Sequence, residues 1–531
     1  MRDAARGRAF VPRLALPDWS GSAWGAIVVA AAFIALTCWW LTQDRSIPIY
    51  DAGYDLETTI EYHNMLHSGN LLGPFNNVLQ YPPLGFLLGA FAMLIGGVNV
   101  SSPIVAENLV FVSLLALGCY QTGKLLFGSR AGLLVAIFVL GSPLLIAQFH
   151  VFMLDAPETA LVALSIWLIL ASDRFSKVKM SGFAGLAVAA GLLIKVQFPF
   201  FILGIVFCAL VRGGWRNWRG FSTFTGVAVV FGSPWYVRHL SELQEITRLA
   251  GTSSGAVAEN LPPTFSVHNL TWYLWSILNS QLLVVLFALL VVGVLWSAVM
   301  LARRNGEAFG GRLEFFVGGV VAWLAITLTP HHDIRYGMPL LPYLAVIATG
   351  WMVFLPRPAR PVAVGVLVAG VMLNTISTTF GLGGQVQLGV GHSISSTYVL
   401  PTTVVLYSNS GFLVSGPQRD GDVPGLLEAL RRDGVRTVAW SLEESRGPDF
   451  SFEGLIPLAL IAKLTPIITQ GRRFSDSSDV VTLVHQSISP SGPSPCARLS
   501  DGTGVFVARY RPSSGRLMLY CPYRDPSFYQ P

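Results

Sequence analysis

Residues 24–40 read WGAIVVAAAFIALTCWW, an apolar run without a single charge. With its neighbours this run supplies the ~20 apolar residues that a helix needs to cross the ~30 Å hydrocarbon core of a bilayer. Arg2, Arg6, Arg8 and Arg13 precede it. Lys and Arg are retained on the cytoplasmic side of a span, so the run is expected to be a first transmembrane helix with residues 1–23 in the cytoplasm. No small-residue cleavage site follows, which separates it from a removable signal peptide.

The rest of the chain agrees with that start. Of 531 residues, 12% are charged and 52% hydrophobic, about half the ~25% charged share of a soluble domain. Further apolar segments fall near 105–121, 131–148, 156–171, 181–195, 196–211, 220–235, 277–301, 313–329, 338–355 and 361–378, which makes about eleven spans. The loops test this count. Lys124 with Arg130, Arg174 with Lys177 and Lys179, Arg212 with Arg216 and Arg219, Arg303 with Arg304, and Arg357 with Arg360 occupy alternate turns, those expected in the cytoplasm. This alternation holds only if the apolar stretch 84–97 does not cross, so it is expected to be re-entrant or interfacial. The outward turns are then 42–82, 149–155, the break after Lys195, 236–276, 330–337 and everything beyond about residue 380.

The expected fold is therefore an α-helical polytopic membrane protein, with a transmembrane domain at 24–380, a Gly/Ser/Thr-rich linker at 381–402 and an extracytoplasmic α/β domain at 403–531. In that last domain, strands are expected at 404–407, 437–440, 480–484, 505–508 and 517–520, and helices at 424–432 and 453–463. Cys38, Cys119 and Cys208 lie in apolar runs, whereas Cys496 and Cys521 lie in this polar region, where an oxidising compartment predicts a disulfide between them.

The outward turns hold the unusual polar residues. The first carries Tyr50-Asp51-Ala-Gly-Tyr54-Asp55-Leu-Glu and ends in Tyr81-Pro-Pro-Leu. A carboxylate held just above the bilayer can take a proton from an acceptor hydroxyl as a general base, although a solvated amphipathic helix would show acids too. Asp155-Ala-Pro157 opens an apolar segment, an arrangement that also suits a plain helix start. Lys195 ends a span on the outer side, against the usual bias, which suits a phosphate contact or a snorkelling side chain. Arg238 follows Pro234-Trp-Tyr, and Arg335-Tyr336 follows His331-His332-Asp333. Arginine forks recognise phosphate, and structural lipid headgroups are the competing partners. A divalent metal at His331 and His332 lacks support, because adjacent positions do not share a helix face.

Taken in order and by membrane side, these motifs resemble the membrane glycosyltransferases of the GT-C fold, in particular the protein O-mannosyltransferase and lipid A aminoarabinose transferase-like group, over about residues 20–378. The resemblance implies inverting transfer from a polyprenyl-phosphate sugar at the outer face of a bacterial inner membrane, with a lipid, glycan or protein acceptor and no nucleic-acid partner. It implies Asp51 as the base, although Ala52 stands where the family often has Glu, which keeps Asp55 as the alternative. It further implies a role for Asp155 in ordering the acceptor or the loop. Lys195, Arg238, Arg335 and Tyr336 would face the donor phosphate, with Tyr54, Tyr81, His331 and His332 near sugar or acceptor. The competing class is a multi-helix transporter or flippase, for which polar groups at mid-membrane and matched interrupted helices would speak.

Overall fold

The computed structural model describes residues 21–48, 51–77, 81–244, 264–302, 313–329, 332–381, 386–388, 404–407, 417, 423–441, 446–447, 450–469, 480–487, 495–498, 503–511 and 516–520. The protein is a multi-pass membrane protein, and every apolar segment expected to span is helical. Gly21–Gln43, Ser101–Phe127, Asn269–Ala302, Ile334–Phe354 and Ala359–Phe380 are long and apolar enough to cross by themselves. Ser129–Leu140 and Pro143–Phe149 form one span bent by 67°. Pro143 cannot donate a helical hydrogen bond, so the helix breaks at Gly141-Ser142. Asn374 Nδ2 donates to the freed Gly141 carbonyl at 3.0 Å and to Leu282 O at 3.3 Å, tying the break to the last span.

Asp155–Ala171, Val178–Leu192, Pro199–Val211, Trp218–Arg238 and Leu313–Thr327 complete the bundle. Their apolar residues divide by environment: Phe201 and Ile205 are buried between helices, whereas Leu203, Phe207 and Val211 are exposed on the side that faces lipid. At the end of the bundle with the basic loops, Glu314 accepts from Arg174 Nε at 2.6 Å and Arg212 Nη1 at 2.7 Å, clamping three connections together.

The stretch expected to be re-entrant or interfacial is a helix, Leu84–Gly96. At ~1.5 Å per residue it is about 20 Å long, the same length as Pro199–Val211. Phe91 and Ile95 are exposed along it, and its other face packs on a loop helix, Asp51–His67.

The C-terminal domain, expected on the outer side, has a mixed sheet. Thr437–Ser441 runs parallel to both Thr465–Thr469 and Val480–Ser487, and the latter continues antiparallel through Thr503–Arg511 to Arg516–Tyr520. Helices Val423–Arg432 and Phe452–Ile461 fall where the sequence leads one to expect them. Two expectations change. Thr465–Thr469 is an additional strand, and Val404–Tyr407 does not join this sheet. It pairs with Val386–Leu388, inside the stretch read as a linker, in a separate ribbon lying against the span at Leu283–Ala302. Cys521, and with it the expected disulfide, lies outside the described residues.

Candidate active site

Each polar residue at the end of the bundle opposite the basic loops is placed by a local break in regular structure. Asp51 opens the loop helix Asp51–His67. Asp155 opens Asp155–Ala171, where Pro157 suits a first turn. Lys195 sits in the gap between Val178–Leu192 and Pro199–Val211, with its backbone N–H donating to Gly191 O. Tyr81-Pro-Pro leads into Leu84, whose N–H donates to Leu193 O at 3.0 Å, so the end of the first outer loop is stitched beside Lys195. Arg335 stands in a short 3-10 turn, Ile334–Leu340, that begins a span.

These breaks converge. Lys195 Nζ lies 2.6 Å from Asp155 Oδ1, and both side chains are almost fully buried, at 5% and 2% exposure. The ammonium also lies 5.6 Å from the Tyr81 ring centroid and 5.2 Å from that of Tyr336, an aromatic clamp that helps compensate its lost hydration. Arg335 Nη1 reaches Asp51 Oδ2 at 2.9 Å and approaches Asp155 Oδ2 at 3.9 Å. Asp51 is the accessible member, with 49% of its side chain exposed.

Asp333 sets the direction of Arg335. Its carboxylate accepts from the Arg335 backbone N–H at 2.9 Å, from Nε at 3.0 Å and from Nη2 at 2.8 Å, a fork that leaves Nη1 to reach Asp51. Burial alone would push Asp333 up; the Arg335 charge and these hydrogen bonds outweigh it and hold the carboxyl below the usual range. Asp55, one turn beyond Asp51, is 2% exposed. Burial first, then the neighbouring Asp51 charge, pushes its carboxyl well above the usual range. The two candidate bases thus differ: one is solvated and ion-paired, the other buried and inclined to stay neutral.

The remaining expected residues separate from this cluster. Arg238 is exposed at the end of Trp218–Arg238, and no ion pair among the described residues joins it to the cluster. Its neighbours instead fasten the helix: Tyr236 donates to Leu192 O at 2.6 Å, and the His239 ring bonds Phe75 O at 3.0 Å. His332 is buried between Trp272 and Tyr273, at ring distances of 5.3 and 5.4 Å, a packing position. Tyr54 is half-buried one turn from Asp51, and His331 lies outside the described residues. Among the described residues no group of three or more His, Cys, Asp or Glu side chains is arranged to hold a metal ion.

Sequence reasoning assigned no role to Asp333, Glu107 and Glu158. Glu107 is buried within electrostatic reach of Asp55 and Asp155, and Glu158 accepts from Gln197 Nε2 at 3.0 Å one turn below Asp155. The signal was available: lone acids in otherwise apolar spans are expensive and need partners.

Comparison with known proteins sets this geometry in context. Residues 80–236, under half of the chain, match the family model for dolichyl-phosphate-mannose-protein mannosyltransferase. No curated protein sequence matches. Among solved structures, the Archaeoglobus fulgidus oligosaccharyltransferase tethered to an acceptor peptide aligns at TM-score 0.50 and 10% identity, over 85% of this chain and 64% of that one. ArnT from Cupriavidus metallidurans aligns at 16% identity, with TM-score 0.48 in the apo state over 68% of this chain and 66% of its own. Its complex with undecaprenyl phosphate gives 0.45 over 68% and 67%. The chain spans about two thirds of the length of these proteins. The fold is GT-C: a bundle of spanning helices with its conspicuous polar residues at one end, carrying a C-terminal domain with a small sheet.

Proposed function

We propose that this GT-C-fold membrane protein is an inverting glycosyltransferase that moves a sugar from a polyprenyl-phosphate carrier to a hydroxyl acceptor, at the outer face of a bacterial plasma membrane. The observation that carries this reading is the pairing of one accessible carboxylate, Asp51, with two anchored cations, Lys195 and Arg335, at a single membrane-proximal site. The polyprenyl-phosphate donor is the class named by the matching family model.

In this mechanism the acceptor oxygen attacks the anomeric carbon, and its proton passes to Asp51. The bond between that carbon and the phosphate oxygen breaks, and the polyprenyl phosphate leaves with one more negative charge than it carried as a diester. Charge is conserved, because Asp51 is neutralised as the phosphate gains. Lys195 and Arg335 face the growing charge and are already oriented by Asp155 and Asp333, so little reorganisation accompanies the step. An arriving phosphate would compete with Asp51 for Arg335 Nη1 and free the carboxylate to act as a base. Asp55, Glu107 and Glu158 then form an acidic floor beneath the site rather than its reacting edge.

The test is incubation of purified protein in lipid with a panel of polyprenyl-phosphate sugars and candidate acceptors. One donor should be consumed, with release of polyprenyl phosphate and inversion at the anomeric carbon. Movement of an intact lipid-linked sugar across a vesicle membrane, with no bond broken, would replace this reading with a flippase.

A further inference from the structure

At the opposite end of the bundle, a cavity of about 460 Å³ is lined by Phe127, Arg130, Leu133, Leu134, Arg360 and Val364, among others. The span that begins beside Arg335 ends at this cavity, where Val353 forms part of the wall. Twenty helical residues rise ~30 Å, the thickness of the hydrocarbon core, so cavity and candidate active site face opposite leaflets.

Three observations define what the cavity suits. Its charge is positive: Arg130 and Arg360 line it, and among the described residues neither has a carboxylate partner. Arg360 is held in place by Nη2 donating to Val353 O at 2.9 Å and to Leu355 O at 3.1 Å, while its Nε is buried without a hydrogen-bond partner. Helix Ser129–Leu140 starts at the rim behind Gly128, at φ +93°, with no side-chain cap, so its first N–H groups are open to an anion. The depth in the bilayer is marked as well. Phe127, Trp296 and Phe354 form an aromatic cluster beside the cavity, with ring centroids 5.1 to 6.3 Å apart. Tryptophan is enriched at headgroup level, which suits Trp296 beside the cavity.

The geometry points to a binding site for an anionic phospholipid of the leaflet opposite the active site. The phosphate sits between Arg130 and Arg360 at the start of Ser129–Leu140, and an acyl chain lies along Leu133 and Val364. Apolar walls distinguish this occupant from a free phosphate ion, which would leave Leu133, Leu134 and Val364 facing an empty or wet cavity. Basic pockets between spans recognise anionic headgroups in this manner. The ligand would bridge the end of Ser101–Phe127, the start of Ser129–Leu140 and the turn into Ala359–Phe380, bracing the bundle from the far side.

The experiment uses the full-length protein, delipidated in detergent and titrated with phosphatidylglycerol, phosphatidylcholine or inorganic phosphate, with bound lipid read by native mass spectrometry. Phosphatidylglycerol should bind, and the Arg130→Gln/Arg360→Gln double variant should bind it about tenfold or more weakly, as expected for lost charge-assisted hydrogen bonds. If the double variant does not fold, Arg130→Glu, at an exposed position, should produce a comparable loss. Equal retention of phosphatidylcholine, undiminished phosphatidylglycerol binding by the variants, or saturation by inorganic phosphate alone at comparable affinity would overturn the proposal.

Discussion

Asp51 and Asp55 are separated by one helical turn, yet burial gives them different chemistry. Asp51 is half-exposed and hydrogen-bonded to Arg335; Asp55 is enclosed and its carboxyl pushed up. Asp51→Asn should therefore bind donor and lose about 10²- to 10⁴-fold in transfer rate, the usual worth of general-base assistance. Asp55→Asn, which replaces a group already inclined to be neutral, should retain most activity. Single-turnover transfer checks both, and the opposite ranking would move the base to Asp55. A neighbouring acid supplies a pH test. Burial first, and then Glu61, pushes Glu57 up to about 7. A carboxyl raised in the folded state favours folding fully below the usual glutamate range, and that contribution is lost as pH rises towards about 7. Glu57→Gln should thus match the parent in Tm near pH 4 and exceed it near pH 8. Equal Tm values at both would show that Glu57 keeps an ordinary affinity for protons.

At the scale of elements, the loop helix Asp51–His67 is held from two sides. Leu56 and Ile60 join Met93 of Leu84–Gly96 on one side and Leu460 and Ile461 of the outer domain on the other. The contact is close: a Cβ on Gly454 would overlap the Pro48 carbonyl, just before the loop helix. The outer domain therefore sits on the helix that carries the proposed base and, through it, bears on Asp51. Leu460→Asp would place a charge in this apolar seam, which costs several kcal/mol unless the surfaces part. The expected outcome is faster hydrogen exchange over residues 51–67 and a drop in transfer rate, with donor binding less affected. Unchanged exchange would show that the domain rests on the helix without supporting it.

Across the whole molecule, the candidate site and the Arg174–Glu314–Arg212 clamp mark opposite ends of the bundle. In a cysteine-free background, a thiol introduced at exposed Ser68 should react with an impermeant reagent in intact cells. One at exposed Arg216 should react only after permeabilisation. The same orientation puts the outer domain in an oxidising compartment, where mapping under non-reducing conditions should recover a peptide linked through Cys496 and Cys521. Reversed labelling would overturn the orientation and remove the basis for that bridge.

Much of the architecture was written in local pattern. Apolar composition located the helices, alternating basic loops gave their expected sides, and the short stretch 84–97 is the separate helix Leu84–Gly96. These are properties of a segment and its solvent, so they survive without knowledge of neighbours. Asp51, Lys195 and Arg335 stood out for the same reason, as charges placed where a membrane segment normally avoids them. What sequence could not decide was partnership. Arg238 and Arg335 look alike in sequence, but Asp333 aims one at the cluster while the other stands exposed at the end of its helix. Val404–Tyr407 looks like a strand of the outer sheet, but it pairs with Val386–Leu388 over the spans. Glu107 and Glu158 reveal their place beneath the site only once separate helices pack, because the distance between an acid and its partner is fixed by tertiary structure and not by sequence spacing.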